Sequence, residues 1–391
     1  MKKILGVNNN VFYLSLVSLF NDFSSEMIYS VMPAFLVKSL NATFWFVGFL
    51  EGFSEAFNNI LKIYSGRISD FYNRRKIFAV LGYALSNLAR FFLYFVNSFW
   101  QVFILRIFDR VGKGLYDAPR DALIYLSSDK EELNKSYNFH RAFDTIGAIL
   151  GPIFGFLLLN YFLNLNYKLL FLIAAFLGVF TLITFLWVED KKDPYSKNKK
   201  FVFDFKIFPS SIKIYLLAFF IFSLGYFPLS LVLLRIQTFD PSLKTLPLFY
   251  FLFNFFFVIF AFPLGRLGDK YGEKIMLKMG FLISCVAFIL FSMNNNFLIF
   301  PASILLSLSL ALIDGIKMVY IGENVSSEFL GTAQGTLNAF YGFGQLLGGT
   351  LGGWLWSKFN FSFAFLLGSG LIFLSFVILN FSFKIMNKES K

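Results

Sequence analysis

The feature that most constrains this chain is a succession of long apolar runs. Twelve of them, near 11–37, 44–65, 76–96, 99–126, 138–162, 167–188, 213–236, 244–264, 274–293, 297–320, 331–356 and 361–383, are bounded by turn residues and charge clusters. Each approaches or exceeds the ~20 residues needed to cross a bilayer's hydrocarbon core as a helix. The chain is 57% hydrophobic and only 15% charged, with a mean hydropathy of +0.66, so lipid rather than water must be its main solvent. The first run contains Asp22 and Glu26 and lacks a small-residue cleavage site, so it reads as a membrane span rather than a signal peptide.

The formal charge of +12 invites a nucleic-acid reading until the charges are placed. If both termini are cytoplasmic, Arg67, Arg74, Arg75, Lys76, Lys130, Lys135, Lys191, Lys192, Lys197, Lys199, Lys200, Arg266, Lys270, Lys274 and Lys384 all fall on the inner side. The outer loops then keep only Lys38, Lys168, Lys244 and Lys358. That asymmetry is the positive-inside signature of a multi-pass protein, and it removes the case for nucleic acid. The polar stretch 189–212, with Pro194 and Pro209, reads as a cytoplasmic linker between an N-terminal six-helix bundle, 1–188, and a C-terminal one, 213–391. Its lysines suit a loop near lipid headgroups. The single cysteine, Cys285, reads as a packed thiol.

The chain repeats itself. Gly66-Arg67-Ile68-Ser69-Asp70 with Arg74 and Arg75 follows the second span, and Gly265-Arg266-Leu267-Gly268-Asp269 follows the eighth, at an offset of 199. Gly147, Gly151 and Gly155 in the fifth span match Gly344, Gly348 and Gly352 in the eleventh at an offset of 197. Two matches at nearly equal offset indicate a duplicated unit. The loop after the second span resembles the GxLxDxxGRR signature of the major facilitator superfamily, with Ile68 for Leu and Asn73 for the second Gly. The resemblance covers essentially the whole chain and implies an all-α membrane fold of twelve helices in two six-helix repeats. It also implies a substrate cavity at the interface of the repeats near the bilayer midplane, and a prokaryotic plasma (inner) membrane location.

Ionisable groups in membrane spans cost about 2.5–3.5 kcal/mol each on insertion scales, so each needs a partner, water or a function. Asp22 and Glu26 are one turn apart in the first span. Glu51, Glu55, Asn58 and Lys62 share one face of the second, the third carries Arg90, and the fourth carries Arg106, Asp109, Arg110, Lys113, Asp117, Arg120 and Asp121 along a stripe roughly 120° wide. Asp22, Glu26, Glu51 and Glu55 are the expected proton carriers, because a carboxylate in a low-dielectric cavity titrates near neutrality. The alternative is permanent pairing with Lys62, Arg90 or Arg106. Arg106 resembles the fourth-span arginine of proton-coupled relatives, although Arg110 stands where they have Gly. Lys113 and Asp109 complete the expected cavity set. Gly66, Asp70, Arg74, Arg75, Gly265 and Asp269 are expected as a cytoplasmic gate, together with Asp117, Arg120, Asp121, Arg141 and Asp144. Asp314 and Lys317, which match Asp117 and Arg120 at an offset of 197, are expected at the same gate. The sole histidine, His140, is expected to be structural.

Gly147, Gly151, Pro152 and Gly155 follow the GxxxGPxxG antiporter motif of drug-exporting members, with Phe156 where a further Gly is usual. Proton-coupled export of a small organic or amphipathic compound by a monomer is therefore expected. Uptake of an organic anion or nutrient by symport is the alternative, and a non-transporting receptor the alternative of another class. The partners implied are a small-molecule substrate, protons and membrane lipids. With one Cys, one His and no metal-ligand spacing, the sequence offers no enzyme, cofactor or metal motif.

Overall fold

The computed structural model describes residues 3–72, 74–129, 132–164, 166–191, 208–238, 246–314, 316–325 and 330–389. The side chains of 62–72 and of Gly265, Arg266 and Asp269 lie outside the described set, and with them the expectations for Lys62, Gly66, Asp70, Gly265 and Asp269. A short antiparallel hairpin, β1 (Lys3–Ile4) and β2 (Val7–Asn8), turns through Leu5 and Gly6, both at positive φ. It leads into α1 (Asn9–Tyr29), where the Asn8 side chain accepts from the Asn10 amide at 2.9 Å. Then come α2 (Phe44–Tyr72), α3 (Arg75–Phe92), α4 (Phe99–Leu126), α5 (Leu133–Leu157) and α6 (Tyr167–Thr184). They are followed by α7 (Ser210–Gly225), α8 (Leu229–Gln237), α9 (Leu246–Tyr271), α10 (Glu273–Ser292), α11 (Ile299–Ile313), α12 (Ile316–Asn324), α13 (Leu330–Lys358) and α14 (Phe361–Glu389).

Among the described residues, seven helical stretches are long and apolar enough to cross a membrane: Arg75–Phe95, Lys135–Phe162, Tyr167–Trp187, Ser210–Gln237, Glu273–Ser292, Asn296–Asn324 and Phe361–Met386. Ser98 and Gln101 form a capping box at the start of α4, which continues through Pro119 to Leu126. The seventh expected span is broken between α7 and α8, where Pro228 lacks the N–H a continuous helix needs. The freed carbonyl of Tyr226 accepts from Gln345 Nε2.

The described residues fall into two compact units. One draws on 1–41, 57–199 and 242–251, the other on 42–56, 200–241 and 252–391. In the first, α1 packs on α5 and α6, and α3 on α4. Gly82 and Gly112 each face the other's carbonyl, bringing α3 and α4 almost backbone to backbone. Val11, Leu14, Tyr83, Tyr116, Leu123 and Phe185 are core members at one end of this unit. In the second, α7 packs on α13 and α14, and α10 on α11 and α14. The start of α2 lies against α13, with Gly48 opposite Gly349 and Gly353 opposite Phe44.

Candidate functional site

The charge stripe of α4 is gathered around one carboxylate. Asp109 is buried, with Arg110 Nη2 at 3.2 Å, Arg106 Nη1 at 3.7 Å and Arg90 Nε at 3.8 Å. Tyr29 Oη donates to Asp109 Oδ2 at 2.5 Å and accepts from Arg110 Nη2 at 2.7 Å, and Ser86 Oγ donates to Asp109 Oδ1. Arg90 also donates to Asn21 Oδ1 at 2.8 Å, Ser86 Oγ at 3.0 Å and Ser24 Oγ at 3.2 Å. The guanidinium carbons of Arg106 and Arg110 stand 4.2 and 5.3 Å from the centre of the Tyr29 ring, a cation–π arrangement. Buried charges persist only when paired and hydrogen-bonded, and Asp109 has both kinds of partner. Sequence reasoning missed Tyr29 and Ser86 because neither is charged. Their signal was spacing, since Tyr29 is three residues after Glu26 and Ser86 four before Arg90.

The acids of α1 are held differently. Asp22 and Glu26 are half-buried, and among the described residues neither makes an ion pair. Asn21 Nδ2 donates to Asp22 at 2.9 Å, and Tyr250 donates to Glu26. Lys113 lies within electrostatic reach of both. The glycines of α5 set this geometry. A Cβ added to Gly147 would lie 3.2 Å from Asp22 Cβ, and one on Gly151 would lie 3.1 Å from Glu26 Cβ and 2.7 Å from the Phe23 carbonyl oxygen. Gly155 faces Met27 and Ser30 in the same seam, and Pro152 lies inside the helix. The motif thus brings α5 flush against the edge of α1 that carries both carboxylates.

A third cluster lies where the last turns of α4 meet the first turns of α5. Arg120 bonds Asp121 at 2.9 and 3.0 Å, lies 3.7 Å from Asp117 and reaches Ser18 Oγ at 3.3 Å. Tyr83 and Tyr116 stack beside it, ring centres 3.7 Å apart. His140 Nε2 is 3.6 Å from Asp144 Oδ1. Arg141 and Arg74 are exposed, whereas Arg75 is buried. In the second unit Lys317 pairs with Asp314 at 2.6 Å and sits over the Tyr341 ring. Glu51 and Glu55, both half-buried, belong to this unit as well.

The sequence profile of the Major Facilitator Superfamily matches residues 14–252 and 214–391. The chain is 33% identical over 386 residues to an MFS-type transporter of Methanocaldococcus jannaschii described as uncharacterized, covering 96% of this chain and 95% of that one. It is 24% identical over 326 residues to the class B tetracycline resistance protein of Escherichia coli, covering 74% and 77%. Among solved structures, a mutant of the nucleoside transporter NupG superposes with a TM-score of 0.84 at 13% identity, covering 95% of this chain and 99% of that one. The chain belongs to the major facilitator superfamily of membrane transporters.

Proposed function

We propose that this transporter is a proton-coupled exporter of a small organic or amphipathic compound, and that Asp22 and Glu26 carry the protons. The observation that carries this reading is the contrast between carboxylates. Asp109 is held by three guanidiniums, a phenol and a hydroxyl, whereas Asp22 and Glu26 have only neutral hydrogen-bond partners and no ion pair among the described residues. A carboxyl that must load and release a proton each cycle cannot be locked to an arginine. The export direction is supported by the glycine seam of α5 and by the likeness to a tetracycline resistance protein. Twelve spans form two bundles, 1–188 and 213–391, with both termini and the linker 189–212 cytoplasmic. The protein works as a monomer in the prokaryotic plasma membrane by alternating access. The third cluster, with Asp117, Arg120 and Asp121, gates the cytoplasmic side.

Everted membrane vesicles energised with a proton gradient and given ethidium test this directly. Asp22→Asn and Glu26→Gln should each abolish proton-driven ethidium flux while the purified variants keep the wild-type unfolding temperature. Full flux in both variants would remove these acids from the mechanism. A second reading, uptake of an organic anion, is favoured by the gathering of three guanidiniums on one carboxylate. Thermal stabilisation by polar anions and not by lipophilic cations would select it.

A further inference from the structure

His140 is the only histidine of the chain and is 4% exposed. Among the described residues neither of its ring nitrogens has a hydrogen-bond partner, and the facing oxygen of Asp144, 3.6 Å away, has none either. Two such groups left unbonded cost free energy, and a proton delivered between them converts that cost into a charge-assisted hydrogen bond. Asp144 lies three residues before Gly147, hence on the same face of α5, less than a turn below the point where that helix meets Asp22. The charged side chains around Asp22 are Asp144, Lys113, Glu26 and Arg120. The charges facing His140 are Arg120, Asp121 and Asp117 from α4 and Arg141 from its own helix. Glu26, Asp22, Asp144 and His140 therefore descend in order along the seam between α1 and α5.

We propose that His140 and Asp144 form the proton port of the Asp22 site. The proposal rests on the role of Asp22 given above. A proton taken from water by the imidazole passes from its N–H to Asp144 Oδ1, and the resulting carboxylic acid hands it to the Asp22 carboxylate. The same steps run backwards on release. Only N–H and O–H bonds are made and broken, and the charge moves with the proton.

Full-length protein labelled with 15N-histidine in lipid nanodiscs gives a single imidazole signal, whose protonation midpoint can be read against pH. Asp144→Asn should lower that midpoint, and Asp22→Asn should lower it by less, because each removes a negative charge that favours the imidazolium. In energised everted vesicles, His140→Gln should slow proton-driven ethidium flux about tenfold, and imidazole added to the buffer should restore it, as a missing proton carrier is replaced from solution. A midpoint unmoved by Asp22→Asn overturns the port, as does wild-type flux in His140→Gln or slowed flux that imidazole fails to restore. If His140→Gln does not fold, the two histidine titrations decide alone. Flux lost in Asp22→Asn but normal in His140→Gln overturns the port and leaves the carrier standing. Flux retained in Asp22→Asn overturns both.

Discussion

The two units use one helical scaffold and fill it with opposite chemistry. In each, the first long helix is seamed to a glycine-bearing helix: α1 to α5 at Gly147 and Gly151, α7 to α13 at Gly344 and Gly348. Where the first unit places Asp22 against Gly147, the second places Ser223 against the matching Gly344. The interior of the first unit is organised by Asp109 and its arginines. That of the second is organised by rings, with Phe222 and Phe281 4.3 Å apart and Phe288 packed on Phe227 and Phe365 at 5.6 and 5.4 Å. Among its described residues the fully buried arginine is Arg235, answered by the backbone carbonyls of Phe291 and Met293 at 3.0 and 2.8 Å and by the Phe361 ring. The two units thus share a packing surface, while the buried carboxylate ringed by arginines belongs to the first. A helix seam needs only small residues at the right spacing, so the side chains facing it are free to specialise.

The sharpest break of this comparison is at Asp109. Asp109→Ala leaves three buried guanidiniums without their common carboxylate and should cost about 3–5 kcal/mol, read as a large fall in unfolding temperature in detergent. In the second unit, by contrast, Asp314→Ala removes a carboxylate that is 44% exposed. It should cost under about 1 kcal/mol. Equal losses would mean that the charges of the two units carry the same structural weight.

Arg235 tests the other side. Arg235→Met removes the donors to two carbonyls at the end of α10 and should cost about 1–3 kcal/mol, with Arg235→Lys intermediate because an ammonium cannot reproduce the planar fork. If Arg235→Met is neutral, the aromatic packing of the second unit is sufficient without a charge. Gly151→Ala probes the seam itself. Its Cβ would meet the Phe23 carbonyl oxygen at 2.7 Å, and overpacking of this kind costs about 1–3 kcal/mol. Because α5 must then stand away from Glu26, proton-driven flux should fall more than stability does, whereas Gly344→Ala should affect stability alone.

Most of this scaffold was legible in the chain. Apolar run length marks helices because the bilayer fixes how many residues a crossing takes, and the nearly equal offsets of Gly66 and Gly265, and of Gly147 and Gly344, pointed to the repeat. The stripe on α4 was visible because 3.6-residue spacing puts charges on one face. Partner choice was not visible. Spacing along α4 says that Arg106, Asp109 and Arg110 share a face, but not that Arg90 from α3 and Tyr29 from α1 close around Asp109, because contacts across helices depend on rotation about each axis. For the same reason the sequence left open whether Asp22 pairs with an arginine. The break between α7 and α8 was missed because Gly225 and Pro228 lie within an otherwise continuous apolar run, and hydropathy does not register a lost hydrogen bond.

The smallest effect is expected where charge meets water. Lys3 Nζ of the N-terminal hairpin bonds Glu132 Oε1 at 2.7 Å, and Lys135 Nζ reaches the Gly6 carbonyl at 2.6 Å. The hydrogen bond from Lys3 holds the Glu132 carboxyl below its ordinary range, and the same contact pushes the Lys3 ammonium up. A carboxylate with a lowered folded value contributes stability that is present above its ordinary range and lost as pH falls through the folded value. An ammonium with a raised value contributes below its ordinary range and loses that contribution as pH climbs past the folded one. The pair therefore holds across neutral pH and weakens at both extremes. Glu132→Gln should leave the unfolding temperature at neutral pH within error of wild type, and any small difference should vanish on acidification and in high salt, since exposed pairs are screened. A loss as large as that of Asp109→Ala would mean that docking of the hairpin, rather than burial of the arginine cluster, is what the first unit's charges protect.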